Sequence, residues 1–149
     1  YSVFADLYWR AMMKSDDTTL AAIAAKSEKE SAYHVRHTSE WVVRLGDGTE
    51  ESHRRAQTAI DDLWAFTGEM FAVDDSERGL IEAGVAVDPA TLRPQWLATV
   101  SNVLAEATLV SPTSDWMQQG GRSGRHSEHL GHLLSELQSM QRTFPGATW

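Results

Sequence analysis

The chain is 149 residues long, 42% hydrophobic and 23% charged, which is the size and balance of one globular domain rather than of a disordered segment. Its formal net charge of −8 argues against nucleic acid and against an anionic membrane surface, both of which attract cationic proteins. It has no cysteine, so disulfides, thiolate zinc, iron–sulfur clusters and a cysteine nucleophile are excluded together.

The pattern predicts helices in sequence order. Ser2–Lys14 is polar only at Ser2, Asp6, Arg10 and Lys14, one narrow stripe at a spacing of four, so this helix is expected to be buried on most sides. A natural terminus rarely falls inside such a helix, and the expectation is a fragment of a longer parent. Asp16 or Asp17 caps a second helix that runs to about Leu45 and stops at Gly46, roughly 40 Å long. Its Leu20–Ala25 stretch is the longest unbroken apolar run, far too short to span a membrane. No secretory signal pattern is visible, and the lack of cysteine is compatible with the cytoplasm. Asp47-Gly48 makes a turn. Thr49 caps a third helix whose Glu50 and Glu51 suit its first-turn dipole, with apolar positions Ala56, Ile60, Leu63, Trp64, Thr67, Met70 and Phe71. A short helix, about Ser76–Ala83, is closed by Gly84. Asp88-Pro89 opens the next, through about Val110. Ser111–Gly124 is a glycine-rich loop. Ser127–Arg142 is the last helix, with Leu130, Leu133, Leu134, Leu137 and Met140 on its apolar face, and Pro145-Gly146 ends it. No stretch reads convincingly as a strand. Long helices joined by short turns imply an all-α antiparallel bundle.

The second helix carries a heptad-like stripe of Leu20, Ala24, Ser27, Ser31, His34, Thr38, Trp41 and Leu45, apolar at the ends and polar in the middle. Polar groups at mid-height of a bundle need partners, because burying each unpaired costs about 1–3 kcal/mol. Di-iron bundles place a carboxylate on each of two helices and Glu-x-x-His on each of the other two. Here Glu30 is present, but Tyr33 stands where the histidine belongs and His34 is displaced by about 100° around the helix. Asp6 would supply the lone carboxylate. Asp6, Glu30 and His34 therefore read as a vestigial metal site or as a satisfied polar network, the network being the expectation. His129, His132 and Glu136, with His126 nearby, share a stripe of the last helix that could hold zinc or iron, although the leucine face should point inward and leave these histidines at an interface or surface. Arg122 and Arg125 in Gly120–Arg125 precede a helix N-terminus and form a candidate anion site without the features of a P-loop. Most of the six tryptophans, Trp9 and Trp41 among them, should be core or interface anchors.

Gly121–Gly131, Leu134–Gln138, Gln141-Arg142 and the closing Pro145–Trp149 resemble the C-terminus of the non-catalytic, ferritin-like C subunits of bacterial phenylacetyl-CoA ring-1,2-epoxidases. Lys29–Arg36, Trp41–Thr49 and Gly84–Arg93 agree with the same family, in order along the chain. The resemblance implies a cytoplasmic multicomponent monooxygenase of aerobic phenylacetate breakdown. In it a catalytic ferritin-like subunit holds the di-iron site and the CoA thioester, and a reductase delivers electrons from NADPH. The present subunit is implied to bind and support the catalytic one without a cofactor of its own. Family members also carry an N-terminal portion that supplies the first two bundle helices, so residues 1–149 are expected to be the C-terminal portion of a single ferritin-like domain. If each open bundle face loses ~600 Å² of burial, the deficit is ~15 kcal/mol, comparable with a domain's whole stability. The expectation is a homo-oligomer with the first two helices at its interface. The alternatives are a metal-dependent oxidase or oxygenase with its own site at Glu30 and His34, and a CoA-ester or phosphate binder through Arg122 and Arg125.

Overall fold

The computed structural model describes residues 1–148, and they form two units, Tyr1–Gln118 and a second that begins at Gln119. The first contains α1 (Ser2–Met12), α2 (Thr18–Gly46), α3 (Glu50–Leu63), α4 (Asp75–Glu82) and α5 (Arg93–Glu106). The second contains α6 (Glu128–Leu137) and α7 (Ser139–Thr143). Single turns of 3₁₀-helix lie at Trp64–Phe66, Gly68–Phe71, Pro89–Leu92 and Gly121–Ser123. The described residues contain no strand, and the chain is an all-α helical bundle.

Local chemistry sets the starts of α2, α3 and α4. Asp17, not Asp16, caps α2: its carboxylate accepts from the Thr19 and Leu20 N–H groups at 2.8 and 3.0 Å. Asp16 instead donates its N–H to the Gly84 carbonyl, while the Ser15 hydroxyl donates to Val85 O at 2.6 Å. These bonds tie the α1–α2 turn to the loop after α4. Gly84 closes α4 at φ +72°, and a Cβ there would also collide with the Asp16 carboxylate. Thr49 and Ser52 form a capping box on α3, as do Asp74 and Glu77 on α4.

Three predicted helices are interrupted. The third ends at Leu63 instead of running to Phe71. The Thr67 hydroxyl donates to Trp64 O at 2.8 Å and competes with the helical pattern, and Met117 packs onto Gly68 where a Cβ would lie 2.9 Å away. Leu63, expected in the core, is 62% exposed. The helix predicted from Pro89 to Val110 begins as a 3₁₀ turn, and α5 proper starts at Arg93 with Pro94 in its first turn, where no N–H is needed. It ends at Glu106 in a Schellman motif: Thr108 N–H donates to Ala105 O and Leu109 N–H to Leu104 O, with Thr108 at φ +60°. In the second unit the predicted Ser127–Arg142 helix breaks at Gln138. There the Ser139 hydroxyl donates to the Glu136 carbonyl at 2.8 Å.

The buried core lies in the first unit. Leu7, Phe71 and Trp96 form one cluster, with Phe4 edge-on to Phe71 (5.5 Å) and Phe71 edge-on to Trp96 (5.3 Å). Leu104, Ala107 and Leu109 form the other, covered by Val42, Val43, Ala56, Ile60 and Trp64. The inward side of α2 is Ala21, Ala24, Glu28, Ser31, Val35, Ser39 and Val42, all buried or half-buried. The seam expected from the sequence is thus rotated by about one residue: Ala24 and Ser31 do face inward, but Leu20, His34, Thr38, Trp41 and Leu45 are exposed. Small side chains on the inward side let α1 lie close along α2 and bury Asp6, Leu7 and Met12.

Gly46 is the last residue of α2 rather than a left-handed stop. It is needed because α5 ends against it. A Cβ on Gly46 would run into the Ala107 carbonyl oxygen and lie 2.9 Å from the Ala107 Cβ. Around this contact His53 Nδ1 donates to Gly46 O at 2.7 Å and the Thr108 hydroxyl reaches the same oxygen at 3.3 Å. Gly46→Ala is expected to destabilise the chain by about 1–3 kcal/mol in urea denaturation, the cost of overpacking. Gly79→Ala is expected to stabilise it by about 0.5–1 kcal/mol, because Gly79 lies inside α4 with nothing within 4 Å of an added Cβ.

Candidate functional site

The α1–α2 hairpin holds the residues with the strongest claim to chemistry. Asp6 is 8% exposed. One of its oxygens accepts from Arg10 Nε at 3.0 Å, one turn along α1, and a guanidinium nitrogen of Arg10 reaches Glu28 Oε1 on α2 at 3.4 Å. The other oxygen, Oδ1, is buried and has no hydrogen-bond partner among the described residues. The polar network expected at mid-height therefore exists, but its members are Asp6, Arg10 and Glu28. Glu30 and His34 lie elsewhere on α2 and are exposed, so Asp6, Glu30 and His34 are not brought together. Among the described residues no three His, Asp or Glu side chains converge as metal ligands. The Asp6, Arg10 and Glu28 group does not fit a di-iron centre: it brings in no histidine, and the guanidinium between its two carboxylates opposes a dication.

The outer side of α2 has a different character. Tyr33, His37 and Trp41 recur every fourth residue and form a ladder, with Tyr33 stacked on His37 at 5.8 Å and His37 edge-on to Trp41 at 6.5 Å. Arg36 lies over the Tyr33 ring at 5.5 Å and Arg44 over Trp41 at 5.6 Å. Tyr33 is 53% and Trp41 49% exposed. Aromatic rings with arginines are the side chains that dominate protein interfaces. The sequence pointed to Trp41 alone; the ladder as a whole went unread there, although its i, i+4, i+8 spacing is legible. Trp9, the other expected anchor, is half-buried on α1 beside Tyr8.

The second unit carries the remaining candidates. In the glycine-rich turn Gly120 and Gly124 adopt φ +100° and +84°. The Ser123 and Arg125 N–H groups both donate to Gly120 O, and Gly124 N–H donates to Gly121 O. These bonds consume backbone donors that an anion site between Arg122 and Arg125 would require, and the Arg125 side chain packs over Gly120. α6 starts three residues beyond Arg125, at Glu128. His129, His132 and Glu136 are exposed on α6, as is His126 before it. No described residue of this unit is buried, so the leucine face of α6 meets no core within it.

The whole chain, residues 1–149, matches the family of phenylacetic acid catabolic proteins. The chain belongs to this family. It is also similar to the C subunit of the 1,2-phenylacetyl-CoA epoxidase of Escherichia coli (strain K12), 47% identical over 138 residues. That alignment covers 93% of this chain and 56% of the relative, so the chain spans little more than half the length of the protein it matches. The helical bundle is the fold that the resemblance to the ferritin-like members implies. Among the described residues no helix is long and apolar enough to cross a membrane.

Arg10 is the hinge of the buried network. Arg10→Met is expected to cost about 1–3 kcal/mol in urea denaturation, since it leaves the Asp6 carboxylate buried without its guanidinium. Adding Asp6→Asn to that variant is expected to recover part of the loss, because a neutral amide is cheaper to bury alone.

Proposed function

We propose that this phenylacetic acid catabolic protein is a non-catalytic, supporting subunit of a multicomponent monooxygenase that epoxidises the ring of phenylacetyl-CoA. In this reading the di-iron centre belongs to a catalytic ferritin-like partner, and this chain carries no metal and binds that partner through helical faces in the cytoplasm. The likeness to the C subunit of an epoxidase supports the assignment to such a complex. The observation that carries the docking role is the half-exposed ladder of Tyr33, His37 and Trp41 with its flanking Arg36 and Arg44. The supporting role also accords with the Arg10 guanidinium held between Asp6 and Glu28, a cation that opposes metal binding there. Without its partner the chain covers the same face with a second copy, giving the homo-oligomer expected from an apolar helix surface.

The test is a titration of the catalytic partner with this chain, followed by calorimetry. Tyr33→Ala with Trp41→Ala is expected to weaken binding by about 30-fold or more, the loss typical of interface hot spots. Arg55→Ala is expected to leave it unchanged, because Arg55 is exposed on α3 and pairs with Glu51. Undiminished binding in the double variant would overturn the proposed docking face.

A further inference from the structure

Beyond the docking role, the first unit contains a pocket with its own chemistry. The segment after α5 is fastened to α3 and the turn that follows it. At one end Gln57 makes paired bonds to Val110, donating to its carbonyl and accepting from its N–H, each at 2.9 Å. At the other, Gln118 N–H donates to Ala65 O at 2.8 Å and Met117 packs on Gly68. Between these fastenings the strap stands off the body and bounds a cavity of about 270 Å³. Trp64, Phe71 and Trp96 contribute aromatic wall, with Trp64 and Trp96 centroids 5.7 Å apart. Arg93 and Asp115 contribute opposite charges, and among the described residues neither forms an ion pair. Trp96 is 4% exposed, and its indole N–H is buried with no acceptor among the described residues. Buried donors are rarely left in this state unless water or a ligand completes them.

We infer that this pocket binds a small zwitterion with an apolar side chain, the chemistry of a free aromatic amino acid. A carboxylate satisfies Arg93, an ammonium satisfies Asp115, and a ring lies against the Trp64 and Trp96 walls. The two unpaired charges of opposite sign favour a ligand that carries both over a simple acid or a simple amine. The cavity limits the ligand to roughly a dozen non-hydrogen atoms, for which affinity of about 1 mM is the reasonable scale. The pocket does not depend on the docking face, and either can fail without the other.

The experiment uses the full chain labelled with nitrogen-15 and follows the indole N–H resonances, with that of Trp96 identified by its loss in Trp96→Phe. Addition of L-phenylalanine to ~10 mM is expected to move the Trp96 indole resonance saturably. Hydrocinnamate lacks the ammonium and phenethylamine lacks the carboxylate, and each is expected to bind about threefold to fivefold more weakly, the worth of one exposed ion pair. Arg93→Gln, a substitution at an exposed position, is expected to weaken phenylalanine but not phenethylamine, with an unchanged helical circular dichroism spectrum. An unmoved Trp96 resonance would overturn the site, and equal affinities for the three probes would overturn the ligand class.

Discussion

Much of the first unit depends on one close approach, that of Gly46 at the end of α2 to Ala107 at the end of α5. Only a residue without a side chain lets the two helix ends meet, and Ala107 is fully buried there. His53 and Thr108 then converge on the Gly46 carbonyl, so α3 joins the same junction. Thr108 takes a left-handed conformation that costs a β-branched residue about 1–2 kcal/mol, and the bond to Gly46 O offsets part of that. With α5 anchored at this end, Trp96 near its start is placed between Phe71 and Trp64, where the larger aromatic cluster forms. The strap after Thr108 is aimed from the same point.

The hairpin of α1 and α2 divides its surface by side-chain size. Small residues face α1, and they bring the helices near enough for Arg10 to bridge Asp6 and Glu28. The large aromatic residues of α2 are left on the other side, where Tyr33 and Trp41 are half-exposed. A helix whose bulky, interface-type residues point outward while its small ones point inward is built to be shared with another surface. That division, together with membership of the phenylacetic acid catabolic family, underlies the supporting role proposed for the chain.

Features decided by a few neighbouring residues were legible in the sequence. Asp17, Thr49 and Gly84 mark real helix boundaries because capping is local chemistry. The resemblance to the C subunits also agrees with the family to which the chain belongs. Features decided by distant residues were not legible. The break after Leu63 depends partly on Met117 meeting Gly68, some fifty positions away. The facing of α2 was misjudged by one residue because two adjacent stripes are both rich in alanine and serine, and packing against α1 selects between them. Likewise Asp6, Glu30 and His34 were expected to share a polar network or a vestigial metal site, whereas Arg10 joins Asp6 to Glu28 and leaves Glu30 and His34 exposed. The Gly120–Arg125 stretch showed its left-handed glycines but not that its backbone donors turn inward on its own carbonyls.

The central claim is that this chain supports a metal-bearing partner and holds no metal itself. Native mass spectrometry of the chain mixed with the iron-loaded catalytic partner, followed by gas-phase dissociation of the complex, tests it most directly. The account predicts a heteromeric complex from which this chain is released metal-free while the iron stays with the partner. Release of this chain with stoichiometric iron, or the absence of any heteromeric complex, would contradict it.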